Sequence, residues 1–207
     1  ADVEWNPILQ NGTALSDVGG DQIEESLDIV GDDQNPAIYV YTDNQRLYVR
    51  LRLSGTPLNN QGQLLPYHWG LLIDHDYNLN DYESSILVNT LSSDIEVMNN
   101  TAKTSVGDPT EGSEQIVATE AIQLNQNVRV VVANTQFGNT ADYFLDWSIS
   151  FNALNESISA FQPIRLFAGS SQQRYRIDAD LVGYDQVPTA GILEFGRSEL
   201  MTLNGDP

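Results

Sequence analysis

The stretch AIYVYTDNQRLYVRLRL (Ala37–Leu53) decides the fold class. In its second half Leu47, Val49, Leu51 and Leu53 alternate with Arg46, Tyr48, Arg50 and Arg52. Alternation with a period of two places the apolar set on one face of an extended strand and the polar set on the other. The first half, Ala37–Thr42, is rich in tyrosine and β-branched residues, and Asp43-Asn44-Gln45 supplies turn chemistry between the halves. The stretch therefore reads as a β-hairpin with one buried face.

Outward from this hairpin the same period recurs. Strands are expected over Tyr67–Ile73, Ser85–Thr90, Ile95–Met98, Val128–Ala133, Tyr143–Phe151, Ile164–Ala168 and Ile192–Phe195, with polar Gly-, Pro-, Asn- and Ser-rich stretches between them, above all Asn99–Gln115. No segment has the 3.6-residue period of an amphipathic helix; Asn152–Ser157 is expected to form a single turn at most. Short strands without alternating helices predict an all-β, single-domain antiparallel β-sandwich, jelly-roll-like, rather than a parallel α/β sheet. Residues 27–207 form that domain. Residues 1–26 are a separate segment, an edge strand or an inter-subunit arm, with Val3, Trp5, Ile8 and Leu9 as its apolar contacts and Pro7 confining it to a sheet edge.

Twenty-nine acids face nine bases, for a formal charge of -20, and Lys103 is the single lysine. Such a field repels nucleic-acid backbones and anionic membrane surfaces, and it costs self-repulsion in the compact state unless cations offset it, as on a salt-tolerant solvated surface or in a protein that carries bound divalent ions. There is no cysteine, which excludes disulfides, thiolate catalysis and thiolate metal sites. No apolar run approaches the ~20 residues of a membrane-spanning helix, so membrane insertion is not expected. A chain that begins at Ala1 matches a processed, secreted protein.

The sharpest motif is Asp74-His-Asp76-Tyr-Asn78-Leu-Asn80-Asp81-Tyr-Glu83. Oxygen side chains at alternate positions of a tight loop converge on one point, as a calcium ion with six to eight oxygen ligands requires. Asp74, Asp76 and Asn78 fit the first positions of a helix-flanked calcium loop. Leu79 stands where that loop has glycine, and Ser85 where it has its closing glutamate. A calcium loop on a β-scaffold is expected, with Asn80, Asp81 and Glu83 available to close it. Asp and Asn in a solvated turn that merely satisfy backbone amides would leave the same trace. Asp28, Asp32 and Asp33 form a candidate second metal set, and Asp178, Asp180 and Asp185 a third.

Trp69 shares a strand face with Leu71 and Ile73, and Trp147 shares one with Leu145 and Ile149, so both belong to the core. Tyr39, Tyr41 and Tyr48 are the candidate ligand face, brought side by side if the hairpin closes around Asp43–Gln45. The histidines are His68 and His75, and no nucleophile elbow, zinc-protease helix or phosphate loop occurs. An enzyme is not expected.

Several strings together resemble a family: LYVRLRL (47–53), WGLLIDHD (69–76), DYE (81–83), YFLDWSISFNAL (143–154), FAGSS (167–171) and DLVG (180–183). Their order and spacing, over residues 27–185, resemble secreted bacterial sandwiches related to family 9 carbohydrate-binding modules and DOMON-like domains. The resemblance implies a jelly-roll-like fold, an extracellular address and calcium at Asp74–Glu83. Two uses of such a fold are open. One is a self-assembling subunit of a surface layer or filament, a homo-oligomer or polymer joined by strand addition and calcium; the other is a non-catalytic module that binds polysaccharide.

Overall fold

In the computed structural model, residues 4–78, 81–101, 107–111, 114–154, 158, 163–184 and 198–203 are described. Asp43 closes the hairpin as its chemistry requires, its Oδ1 accepting from the N–H groups of Gln45 and Arg46 at 2.7 and 2.8 Å. The register is Tyr39↔Arg50, Val40↔Val49 and Tyr41↔Tyr48, so the two halves share faces as the alternation predicts.

Among the described residues fourteen strands follow one another: β1 (Asn6–Pro7), β2 (Leu9–Gln10), β3 (Thr13–Ala14), β4 (Ile38–Thr42), β5 (Arg46–Leu53), β6 (His68–Asp74), β7 (Ser84–Asn89), β8 (Asp94–Asn99), β9 (Gln115–Ala121), β10 (Val128–Val132), β11 (Tyr143–Ser150), β12 (Pro163–Ser171), β13 (Asp180–Leu181) and β14 (Met201–Thr202). They build a five-stranded antiparallel sheet, β1-β4-β5-β11-β10, and a seven-stranded one, β13-β12-β6-β7-β8-β9 with β14 on β12. The inward sides of the sheets share one core: Leu47, Val49, Leu51, Leu145, Trp147 and Ile149 meet Trp69, Leu71, Ile73, Ile86, Val88, Val97 and Leu166. The fold is all-β, as expected, and both tryptophans sit in its core. One 3-10 turn, Phe151–Ala153, follows β11. The expected strand at Ile192–Phe195 lies outside the described residues.

Two features depart from simple alternation. β9 is a strand where only a polar connection ending at Gln115 was expected. It ends the seven-stranded sheet and exposes most of its residues, so little hydrophobic pattern marks it. β6 is buried on both faces. Its outward Leu72, with Leu87, Met98 and Phe167, is covered by Tyr82, Ile177 and Leu181, forming a second cluster beneath loops.

The amino-terminal segment docks on its own chain. β1 pairs with β4, Pro7 opposite Tyr39, at the sheet edge where a proline is tolerated. Ile8 is 2% exposed and Leu15 1%, both inside the main core. Of the residues read as an inter-subunit surface, Ile8 is thus a core residue, Leu9 is half-buried in the β2–β3 pair, and Trp5 lies over Arg50 at 4.4 Å. Val3 lies outside the described residues.

Candidate metal centres and an aromatic face

β6 ends at Asp74, which points its carboxylate into a region from which water is excluded: Asp74 is fully buried. Across the sheet, Arg165 on β12 is its register partner and donates from Nη1 to Asp74 Oδ2 at 2.9 Å. Asp74 Oδ1 accepts from the Tyr77 N–H at 2.8 Å, and Asp76 Oδ1 from the Asn78 N–H at 2.8 Å. Those bonds bend the chain back, with Tyr77 at a left-handed φ of 68°. Glu83 then returns: its Oε2 accepts from the His75 N–H at 2.9 Å, while Oε1 is buried without a hydrogen bond. Burial raises the Glu83 pKa, the His75 N–H opposes this, and repulsion from Asp76, Asp74 and Asp81 adds to it.

Carboxylate oxygens of Asp74, Asp76 and Glu83 lie within 4.8 Å of one another, so this triad could hold a metal ion. Three residues of the expected loop are brought together. Asp81 is 8% exposed beside them, Asn78 is exposed, and Asn80 lies outside the described residues. The turn reading is also met, because Asp74 and Asp76 each spend one oxygen on a backbone amide. The other oxygen of Asp74 is held by Arg165, while Glu83 Oε1 is left unbonded.

The second expected set comes apart. Asp32 is committed to a turn, its Oδ1 accepting from the Gln34 and Asn35 N–H groups at 3.0 and 2.6 Å, and Asp33 is exposed. Asp28 is 1% exposed and faces elsewhere. The third set divides similarly. Asp178 Oδ1 accepts from Ser171 and Gln172, Asp185 lies outside the described residues, and Asp180 is 1% exposed. The structure instead gathers Asp180 with Asp17 and Asp21, their oxygens again within 4.8 Å, a second triad able to hold a metal ion. Asp17 and Asp21 were not anticipated; the signal is the pair of acids flanking the glycines in Asp17-Val-Gly-Gly-Asp21. Burial drives the carboxyl pKa values of Asp17 and Asp180 well above the usual range, and repulsion within the group raises them further.

The outer side of the five-stranded sheet is the aromatic face. Tyr41 and Tyr48 pack at 5.5 Å, Tyr39 meets Phe144 edge-on at 6.2 Å, and Arg50 lies 4.3 Å from the Phe144 ring. Arg50 and Arg129 share Asp146, at 2.7 and 2.6 Å. All three expected tyrosines are half-buried rather than freely displayed. Beside Tyr48 a hollow is lined by Trp5, Asn125, Gln126, Asn127 and Arg129.

Comparison with protein families, curated proteins and solved structures yields no match to this chain. What stands is an all-β fold of two antiparallel sheets with acidic triads that could hold metal ions.

Proposed function

We propose that this chain is a non-catalytic, extracellular calcium-binding β-sandwich that serves as a self-assembling structural subunit of a surface layer or filament. The observation that carries this reading is the gathering of carboxylates at two places, one at the end of β6 and one beside β13, in a protein of charge -20. Repulsion and desolvation oppose such gathering unless a cation offsets them. All-oxygen donor sets select a hard cation, and loops of this kind bind calcium at the ~10⁻⁴–10⁻³ M typical of extracellular modules.

Assembly is supported by the sheet edges. Among the described residues β9 and β10 each end a sheet, and they expose Ile116, Val117, Val131 and Val132, the last at 59%. An unpaired edge rich in β-branched residues invites strand addition. At the opposite edge, the β1–β4 pairing formed within one chain can form between two copies with the same contacts. The test is sedimentation velocity with negative-stain microscopy, in millimolar calcium and in chelator. Calcium-dependent polymers are expected; a protein that stays monomeric at high concentration in calcium overturns the assembly reading.

A second reading, a polysaccharide-binding module akin to family 9, is favoured by the hollow beside Tyr48. Aromatic rings of Trp5 and Tyr48 flanked by Asn125, Gln126 and Asn127 offer a stacking surface with amide donors and acceptors. Retardation on polysaccharide gels that Trp5→Ala abolishes would move the conclusion to this reading.

A further inference from the structure

We propose that Asp17, Asp21 and Asp180 form an intrachain calcium clasp that fastens the amino-terminal segment to the seven-stranded sheet. The inference rests on the calcium reading above but not on the Asp74 loop.

The clasp joins two distant parts of the chain. Asp17 and Asp21 belong to the segment leading from β3, and Asp180 opens β13. Asp17 and Asp180 are 6% and 1% exposed. Their hydrogen bonds come from backbone amides alone. Asp17 accepts from Val18 and Gly183, and Asp180 from Ile29. Two of these bonds cross between the segments in opposite directions: Gly183 to Asp17 at 3.0 Å and Ile29 to Asp180 at 2.6 Å. The two carboxylates therefore lie between the backbones they hold together.

A second observation points to a ligand. Oδ1 of Asp180 is buried and accepts no hydrogen bond. Asp180 is a member of the gathered triad, so its unbonded oxygen belongs to a group that could hold an ion. Buried carboxylates lacking arginine or lysine partners are costly, and unbonded oxygens on them add to the cost. A hard cation held by the triad resolves this for Asp180. Oxygens that bind a calcium ion at about 2.3–2.6 Å lie at most about 5 Å apart, which the 4.8 Å grouping of Asp17, Asp21 and Asp180 satisfies. With no nitrogen or sulfur donor in the group, zinc is a poor fit, and the number of carboxylates favours calcium over magnesium, which retains its waters.

Occupied, the clasp holds residues 17–31 against β13, and through them keeps Ile8 and Leu15 in the core and β1 on the edge of β4. Without calcium, the buried carboxyls lack that compensating charge and the segment loosens.

The experiment is hydrogen exchange of the full chain in calcium and in chelator, resolved by peptide and combined with calorimetric calcium titration. At calcium concentrations about 100 times Kd, exchange over residues 17–31 and at Gly183 is expected to slow by about 100-fold, as mass action requires. Asp180→Asn should remove that dependence and one class of calcium site, while Asp76→Asn should leave both in place. Should Asp180→Asn fail to fold, Asp17→Asn and the wild-type exchange pattern carry the test. Protection by calcium confined to residues 74–83 overturns the clasp and leaves the calcium reading standing. No protection anywhere, with no heat of binding, overturns both.

Discussion

Arg165 is the chain's own cation at the Asp74 loop, and its removal separates a calcium site from a turn. In Arg165→Met the methionine fills much of the volume of the buried stem, while Asp74, fully buried, loses the guanidinium at 2.9 Å. Leaving a buried charge uncompensated costs about 3–5 kcal/mol. At this chain length each kcal/mol lowers Tm by about 2–4 °C, so the chelated variant should melt roughly 6–20 °C below wild type. Calcium changes the comparison. An ion held by Asp74 at about 2.4 Å supplies the missing charge and should remove most of that cost. Its affinity should rise as well. A guanidinium roughly 6 Å from a divalent ion opposes it by about 1.4 kcal/mol even at the dielectric of water, so removing the arginine should tighten binding at least about tenfold. Thermal melts of both proteins across a calcium titration, with calorimetry for Kd, measure all of this. An Arg165→Met cost that is the same in calcium and in chelator, with unchanged affinity, would refute the reasoning and leave Asp74–Glu83 a turn.

The two core tryptophans should respond differently to Phe, as read by urea midpoints. Trp69 Nε1 donates to the Ser26 carbonyl at 2.9 Å, whereas Trp147 Nε1 is buried without a partner. Trp69→Phe strands a carbonyl and should cost about 1–3 kcal/mol more than Trp147→Phe, while Trp147→Ala should cost about 3–5 kcal/mol through its cavity. In chelator, the raised carboxyl pKa values of Asp17 and Asp180 mean that the folded state keeps protons the unfolded chain releases above pH ~4. Stability should therefore fall as pH rises from 5 to 8, by about 1.4 kcal/mol per unit for each proton retained, and calcium should abolish the fall; a flat profile in chelator would contradict it. His68 is fully buried with neither ring nitrogen bonded, and burial together with the Arg174 charge lowers its pKa to about 4. The stability that depends on its neutral form is present above the ordinary 6.5 and lost as pH falls through 4, so His68→Leu should gain in Tm relative to wild type below pH 6.

The alternation in Arg46–Leu53 determined by itself which residues enter the core, because side chains on a strand change face at every residue whatever lies opposite. The same rule placed Trp69 and Trp147 inward, and the spacing of Asp74 and Asp76 marked a loop that gathers oxygens, since ligands two apart in a tight turn are already neighbours. Three things were decided only by tertiary structure. β9 is a strand because β8 offers it an edge to pair with, and its exposed sequence carries no period that announces this. β6 is buried on both sides because loops bearing Tyr82 and Ile177 fold over its outer face, which alternation within β6 cannot reveal. Asp180 is gathered with Asp17 and Asp21 rather than with its sequence neighbour Asp178, because the partner of a buried carboxylate is chosen by which segments the sheets bring together. The Ile29–Asp180 hydrogen bond spans 151 residues, and a pattern confined to neighbouring positions holds no record of a contact made over that distance.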